Sequence, residues 1–170
     1  MGEVYVLTGT GPGKTTGALG LALRAVGQGR RVVIIQFLKW WKNTGEYKVR
    51  RRLAPHYEIH QFGRRGWKRK AELGEKDREL VRRGLEFARE VARRKRPDLL
   101  ILDELNLALA WGMADVGEVL RLLDELPKKT DVVITGRYAP GELVERADAV
   151  VEVREVKLPE NLRAKKGIHY

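Results

Sequence analysis

The stretch TGTGPGKTTGALG, at residues 8–20, decides the fold of this chain. Alternating glycines let the backbone N–H groups of a loop turn toward an anion, and a helix that follows points its positive end at the same anion. A lysine adds a full positive charge, and a threonine hydroxyl can bind Mg²⁺. The stretch therefore predicts a phosphate-binding loop, in preference to a strand-to-helix turn that merely needs glycine. Its candidate nucleotide-binding residues are Gly9, Thr10, Gly11, Pro12, Gly13, Lys14, Thr15 and Thr16.

Apolar patterns around this loop alternate between strand and helix. Strands are predicted at residues 3–8, 31–37, 57–62, 99–104, 131–136 and 149–156. Helices are predicted from Thr15 to about Val26, from Glu75 to about Arg94, at about 115–125, at 140–147, and over a short stretch after residue 37. Such alternation indicates an α/β fold with a mostly parallel central sheet of about six strands and helices on both faces. We find no repeat or linker that would divide residues 1–170, and we interpret them as one domain.

In the first helix, the apolar spacing predicts a face that packs on the sheet and a glycine that ends the helix. The helix should end at Gly27, because glycine is common just past the last turn. The expected inward face consists of Leu19, Ala22, Leu23 and Val26.

Two acids follow an apolar predicted strand. Asp103 and Glu104 come directly after the run LLIL at 99–102. The carboxyl ends of parallel strands meet at one edge of a sheet, so these acids should lie beside the phosphate loop. Because Mg²⁺ on such a loop needs a carboxylate from a second strand, we predict a metal site at Thr15, Asp103 and Glu104. Acids that cap a strand end are the alternative, and the sequence leaves open which acid contacts the ion.

The amino-acid composition excludes several kinds of site and favours a particular location for the protein. The absence of cysteine excludes disulfides, thiolate catalysis and cysteine-based zinc sites. The first residues show no basic region followed by a long apolar stretch, and no apolar run could span a bilayer. We therefore expect a cytoplasmic protein that contacts no membrane. The net charge of +11 indicates either affinity for polyanions or a solvated surface of the kind that thermophilic proteins carry.

Several motifs in combination match one family. They are TGTGPGKTTGALGLALRAVGQGRRVVIIQFLKW (8–40), LLILDELNLAL (99–109), TGRYAPGELVERAD (135–148), and VREVK and KKGI in the tail. Over about residues 3–168 the chain resembles the ATP:corrinoid adenosyltransferases of the P-loop type, which act in cobalamin biosynthesis and salvage. The resemblance implies a three-layer, RecA-like P-loop NTPase fold.

The resemblance also implies a reaction. The 5′-deoxyadenosyl group of ATP is transferred to cobalt when Co(I) of a reduced corrinoid attacks C5′ of the ribose, and inorganic triphosphate leaves. Co(I) is a strong nucleophile with no proton to lose, which agrees with the lack of an obvious general base near the motifs. The family binds ATP reversed, with the γ-phosphate deep in the loop, so that the loop holds the leaving group.

Site residues follow from the same resemblance. Lys14 and Glu104 are implied to be catalytic, and Thr15 and Glu104 to hold Mg²⁺ or Mn²⁺. Arg24 matches a family arginine that is associated with the nucleotide, although an ordinary arginine on a helix surface is an equal alternative. Arg137, in TGR, follows a predicted strand at its carboxyl end, where a ligand contact is favoured.

Aromatic residues are expected on the corrinoid side. Relatives press a phenylalanine and a tryptophan, two residues apart, against the lower face of the corrin, which displaces the lower ligand and eases reduction of Co(II). In FGRRGWKRK (62–70), Trp67 matches the tryptophan, and Arg65 replaces the phenylalanine. Trp67 is therefore predicted to be catalytic and to bind the corrinoid, with a loop anchor as the alternative. Trp41, with Trp40, could supply further apolar surface.

Three functions stay under consideration. The first is the adenosyltransferase, for which the resemblance also implies a homodimer and a flavoprotein reductant. The second is a P-loop ATPase or an ATP-dependent nucleic-acid-binding module, which the charge suggests, although nucleic acid is an improbable partner for a chain without basic-aromatic alternation. The third is a module that binds ATP without chemistry.

Overall fold

Six parallel strands form a single sheet in the computed structural model, which describes residues 2–66, 68–161 and 163–170. The strands are β1 (Val4–Thr8), β2 (Val32–Phe37), β3 (Tyr57–Phe62), β4 (Leu99–Asp103), β5 (Asp131–Thr135) and β6 (Ala149–Glu152). Their order across the sheet is β3-β2-β4-β5-β1-β6, and all pairs are parallel. The prediction of a parallel sheet of about six strands is confirmed.

Helices cover both faces of this sheet. They are α1 (Lys14–Gly27), α2 (Gly45–Leu53), α3 (Glu75–Lys95), α4 (Leu105–Ala110), α5 (Val116–Glu125) and α6 (Gly141–Arg146), with a 3-10 turn at Lys70–Glu72. On one face, Ala18 and Ala22 of α1 pack with strand residues such as Ile34. On the other face, Leu85 of α3 packs with residues such as Leu100. Helix, sheet and helix thus form the three layers of a P-loop-type fold.

The central position of β2 and β4 follows from their sequences. VVIIQF in β2 and LLILD in β4 are buried along their whole length, as strands are when helices cover both sides of a parallel sheet. The short β6 lies at an edge and is exposed from Val150 onward. The polar residues Gln36 and Asp103 are the exceptions in the central strands, and both lie at the carboxyl edge.

Two sequence-based details of α1 differ from the structure. Of the predicted inward residues, Ala22 is buried, and Leu19 and Val26 pack against the same cluster. Leu23 is instead 61% exposed, and the fully inward face of α1 carries Lys14, Ala18 and Ala22. The phosphate loop fixes Lys14 inside, so positions four and eight residues later share its face. α1 ends at Gly27, as predicted, but the glycine with a left-handed backbone is Gly29, with φ 71°.

The remaining differences concern elements at the carboxyl edge. β6 ends at Glu152: the N–H of Val153 still donates to the carbonyl oxygen of Thr8 at 2.8 Å, but its carbonyl oxygen accepts from Gly11 of the phosphate loop. The short helix α4, directly after the two acids, was not predicted.

A close helix-to-sheet contact fixes the position of α3. Gly84 lies against the aromatic rings of Phe37 and Phe62, and a Cβ atom at this position would lie 2.6 Å from Cε1 of Phe37. Glycine therefore allows α3 to pack directly over the ends of β2 and β3.

Candidate active site

The phosphate loop is held in place by the chain that follows β6. The backbone N–H of Gly11 donates to the carbonyl oxygen of Val153 at 2.9 Å. A Cβ atom at Gly11 would lie 2.7 Å from the carbonyl carbon of Arg154. Gly9 and Gly13 have φ values of 100° and 113°, in the left-handed region that favours glycine. The glycines thus serve both the turn and a close backbone approach.

The start of α1 offers donors to an anion. Among the described residues, the N–H groups from Gly13 to Thr16 have no backbone acceptor, as expected for a first helical turn. Lys14 is 8% exposed, and its Nζ donates to the carbonyl oxygen of Gly11 at 2.6 Å. Burial lowers the pKa of Lys14. These groups together form a cradle of the kind that binds phosphate.

Asp103 is the centre of a buried hydrogen-bond network. Its Oδ1 accepts from the hydroxyls of Thr15 at 2.8 Å and Thr135 at 2.7 Å. Its Oδ2 accepts from Nε2 of Gln36 at 2.9 Å and from Nζ of Lys39 at 2.7 Å. Four donors therefore use both oxygens of a carboxylate that is 1% exposed.

The charge of this network is balanced internally. Burial by itself would raise the pKa of Asp103, but the Lys39 ammonium and the hydrogen bonds from Lys39, Thr135 and Thr15 outweigh it and hold that pKa below its usual range. Burial would likewise lower the pKa of Lys39, but the charges of Asp103 and Glu104 raise it. Both groups of the pair are therefore charged at neutral pH.

The carboxylate of Glu104 lies in a different environment from that of Asp103. Its φ of 64° turns the chain out of β4 and into α4, and its backbone N–H donates to Oγ1 of Thr135 at 3.1 Å. Burial raises the pKa of Glu104, and the neighbouring Asp103 charge adds to that effect, while Lys39, Lys14 and Arg137 oppose it. The Glu104 carboxylate thus lies among three cations at the carboxyl edge.

Asn106 ties the strand ends together behind these acids. Its Nδ2 donates to the carbonyl oxygens of Gly136 at 3.1 Å and Leu7 at 3.4 Å. A Cβ atom at Gly136 would lie 2.9 Å from the backbone nitrogen of Leu107. The motifs DELN and TGR therefore meet in space, and Arg137 lies beside Glu104 for this reason.

A pocket of about 350 Å³ opens next to the acids. Its apolar walls are formed by Leu38, Leu73, Leu107, Trp111 and Tyr138. Its polar lining consists of Lys39, Arg64, Lys68, Asp77, Glu104 and Arg137. Glu104 and Lys39 thus border both the phosphate loop and a cavity with apolar and charged walls, an arrangement typical of ligand sites.

Arg64 forms one wall of this pocket. Its Nε and Nη2 donate to the two oxygens of Asp77 at 2.8 and 2.6 Å, and Asp77 also accepts from the backbone N–H of Gly74 at 2.9 Å. The two ends of the basic segment 64–74 are therefore fixed to the start of α3.

The sequence of the whole chain matches one protein family. The model described as "ATP:corrinoid adenosyltransferase BtuR/CobO/CobP" covers residues 1–170. The chain belongs to this family. The corrinoid adenosyltransferase of Escherichia coli (strain K12) is 36% identical over 171 residues, which are 99% of this chain and 86% of the relative. The corrinoid adenosyltransferase of a Sinorhizobium species is 34% identical over 99% of this chain and 80% of the relative.

A third relative, the corrinoid adenosyltransferase CobA of Salmonella typhimurium (strain LT2), is 33% identical over 99% of this chain and 86% of the relative. As a corrinoid adenosyltransferase, the chain is an enzyme that uses ATP to adenosylate a corrinoid, and the ATPase alternative is not favoured. Over the residues that the structure describes, no helix is long and apolar enough to cross a membrane.

In this corrinoid adenosyltransferase, the predicted residues of the phosphate loop and the two acids lie together, as does Arg137. Arg24 does not join them, because it is exposed and lies ten residues beyond Lys14 on α1, about 15 Å along the helix axis. Trp41 is outside the pocket lining, and its ring lies 4.9 Å from that of Tyr170. Trp67 lies outside the described residues. The roles of Arg24, Trp41 and Trp67 stay predictions.

Several site residues were missed by the sequence interpretation. Lys39, Gln36 and Thr135 complete the Asp103 network, and Trp111 lines the pocket. The available signal was a polar residue near the carboxyl end of each predicted strand. Because the order of the strands was unknown, this signal could not identify which polar residues meet.

Proposed function

We propose that the phosphate loop of this adenosyltransferase holds the triphosphate of ATP as the leaving group while Co(I) of a reduced corrinoid attacks C5′ of the ribose. The observation that carries the proposal is the single edge at which Glu104 and Lys39 border both the anion cradle and the pocket, whose walls are partly apolar and partly charged. The cradle suits three phosphates, and the pocket suits the part of the reaction from which water must be excluded. The Co–C bond forms as the C5′–O bond breaks, and the electron pair leaves with triphosphate.

We propose Thr15 and Glu104 as the protein ligands of Mg²⁺, with phosphate oxygens as further ligands. Hydroxyl and carboxylate oxygens are the donors that this ion prefers. Among the described residues no cluster of three His, Cys, Asp or Glu side chains could hold a metal, which fits an ion bound chiefly through the nucleotide. Asp103 orients the Thr15 hydroxyl, because four donors already use its oxygens. When bound, the ion would neutralise charge on the leaving triphosphate.

Lys14 and Arg137 supply fixed positive charge on the phosphate side. Burial lowers the pKa of Lys14, the nearby charge of Glu104 raises it, and that of Arg137 lowers it further, so the three charged groups lie close together. A preorganised cation stabilises charge that develops on a leaving group without reorganising during the reaction. We therefore propose that Lys14 contributes mainly to turnover.

The pocket beside Glu104 is proposed as the space in which C5′ meets the corrinoid. Its volume of about 350 Å³ is near the lower end for ligand sites, so it can receive a nucleoside but not a whole corrin with its side chains. Trp111 and Tyr138 provide aromatic surface there. Trp67 and Trp41 remain proposed corrinoid contacts by resemblance, as do the homodimer, the flavoprotein reductant and the cytoplasmic location.

The test is an anaerobic assay in dim light. The protein is mixed with MgATP and chemically reduced cobalamin, the visible spectrum is followed, and the phosphate products are identified. A photolabile cobalt–carbon product with intact triphosphate supports the proposal. ADP and phosphate without a corrinoid change would contradict it. Lys42→Ala is the matched control for Lys14→Ala, because Lys42 is exposed and lies outside the cradle and the pocket.

A further inference from the structure

Lys39 is a partly buried lysine whose ammonium contacts two residues of the predicted metal site. Its Nζ lies 2.7 Å from Oδ2 of Asp103 and 3.1 Å from Oγ1 of Thr15. We propose that Lys39 is a positioning residue that makes metal binding depend on the nucleotide. Its ammonium occupies the side-chain oxygens of Thr15 and Asp103, so that a divalent cation binds there only together with triphosphate. This inference rests on the proposed magnesium site.

The backbone places Lys39 where it lies. Leu38 has a φ of 57°, which is uncommon for a residue with a branched side chain, and its N–H donates to the carbonyl oxygen of Phe62 at 3.0 Å. Gly63 leaves room for the chain, because a Cβ there would lie 2.6 Å from the backbone nitrogen of Lys39. The turn after β2 therefore directs Lys39 back over the carboxyl edge.

The Thr15 hydroxyl shows why the ammonium competes with a metal. Its proton is donated to Asp103, and one lone pair accepts from Lys39. A divalent ion bound to the same oxygen would therefore lie next to a fixed positive charge. The Lys39 side chain is 23% exposed, so solvent screens that charge only in part.

The charge balance of the edge gives the direction of the effect. Two carboxylates, Asp103 and Glu104, face three cations, Lys14, Lys39 and Arg137. Without nucleotide this set carries an excess of positive charge and repels a free divalent cation. Bound triphosphate makes the net charge of this set negative. The flexible side chain of Lys39 then allows its ammonium to turn from Thr15 toward phosphate oxygens.

The experiment uses Mn²⁺ as the probe and compares wild type with Lys39→Met. Free Mn²⁺ is measured by electron paramagnetic resonance, and protein-bound Mn²⁺ by the enhanced relaxation of water protons, each with and without ATP. Without ATP, wild type should bind Mn²⁺ weakly, and Lys39→Met should bind it at least about tenfold more tightly. Even at the dielectric constant of water, the repulsion between a unit charge and a divalent ion about 4 Å apart would weaken binding of the ion by more than tenfold.

Two comparison variants separate charge from other effects. Lys39→Arg keeps the charge and should remain dependent on ATP, as wild type is. Lys42→Met removes an exposed charge from the same segment and should also behave as wild type does. Adding Asp103→Asn to Lys39→Met should remove the site that is gained. Should Lys39→Met fail to fold in a circular dichroism check, Lys39→Gln is tested in its place.

The outcomes distinguish the inference from the site on which it rests. If wild type with ATP shows no enhanced relaxation from protein-bound Mn²⁺, the metal-site proposal fails, and the inference falls with it. If wild type forms that ternary complex but Lys39→Met without ATP binds Mn²⁺ no better than Lys42→Met, the role of Lys39 alone is overturned. Tight binding of Mn²⁺ by wild type without ATP would also overturn it.

Discussion

Replacing Asp103 by asparagine would remove the buried negative charge toward which four donors point. The new amide can still accept from the hydroxyls of Thr15 and Thr135 through its oxygen. Its nitrogen would then face Nε2 of Gln36 and Nζ of Lys39, which are both donors. Asp103→Asn therefore leaves a buried amide without an acceptor and a lysine without its counterion.

The expected loss of stability is large for a change of one atom. Removing one partner of a buried ion pair costs about 3–5 kcal/mol. Because the Lys39 side chain keeps 23% of its exposure, we expect the lower end of that range, about 3 kcal/mol. For a chain of this length that corresponds to a fall in Tm of at least about 6 °C.

The measurement is a thermal melt at neutral pH, with Asp98→Asn as the control. Asp98 lies just before the other end of β4, where it accepts from the backbone N–H of Arg31 at 2.8 Å and lies 3.7 Å from Arg30. Its side chain is 38% exposed, so the same substitution there should cost less than about 1 kcal/mol.

The pH dependence gives a second check on the same substitution. The pKa of Asp103 is depressed in the folded state, so its contribution is present above the usual carboxyl range and is lost as pH falls through the lowered pKa. The gap in Tm between wild type and Asp103→Asn should therefore be constant near neutral pH and narrow in strong acid. Equal melting of Asp103→Asn and Asp98→Asn at neutral pH would refute the argument that this pair is a stabilising buried charge.

Three further predictions concern activity and packing. Lys14→Ala should lower turnover by about 10²–10³-fold, because Lys14 is the buried cation inside the cradle itself; near-normal turnover would contradict the proposal that the loop holds the leaving group. Trp67→Ala should lower activity more when Co(II) is supplied than when Co(I) is formed beforehand, and equal losses would contradict a role in ligand displacement. Gly84→Ala should destabilise by about 1–3 kcal/mol, since the added methyl meets Phe37. Gly20→Ala, in open space on α1, should stabilise the protein by about 0.5–1 kcal/mol. Equal free energies of unfolding for Gly84→Ala and Gly20→Ala in urea would contradict this account of α3 packing.

Local patterns were sufficient to predict the architecture. The apolar runs of β2 and β4 were long enough to indicate buried parallel strands, and the phosphate loop supplied the one connection that could be interpreted chemically. The acids after β4 were predicted at the same edge because all parallel strands end there. Each of these predictions depended on residues close together in sequence or on a general rule of sheets.

The details that failed depend on which strands are neighbours. Gln36 and Asp103 are paired in the register of β2 and β4 although they are 67 residues apart. No periodicity reports that pairing, and therefore none indicated that Lys39 would fold back onto Asp103. The pocket shows the same limit, because Trp111 reaches it from the turn after α4, whereas Trp41 packs against Tyr170 outside it.

The hydrogen bond from Gly11 to Val153 links the phosphate loop to the residue that directly follows the edge strand β6. β6 lies at the sheet edge, and its side chains are exposed from Val150 onward. Edge strands open locally at a lower free energy than central strands do. Each opening of β6 that carries Val153 away also frees the Gly11 amide, so we expect the proposed release of triphosphate from the loop to depend on this edge strand. Amide hydrogen exchange at Gly11 would report the rate of this opening, which can then be compared with the rate of turnover.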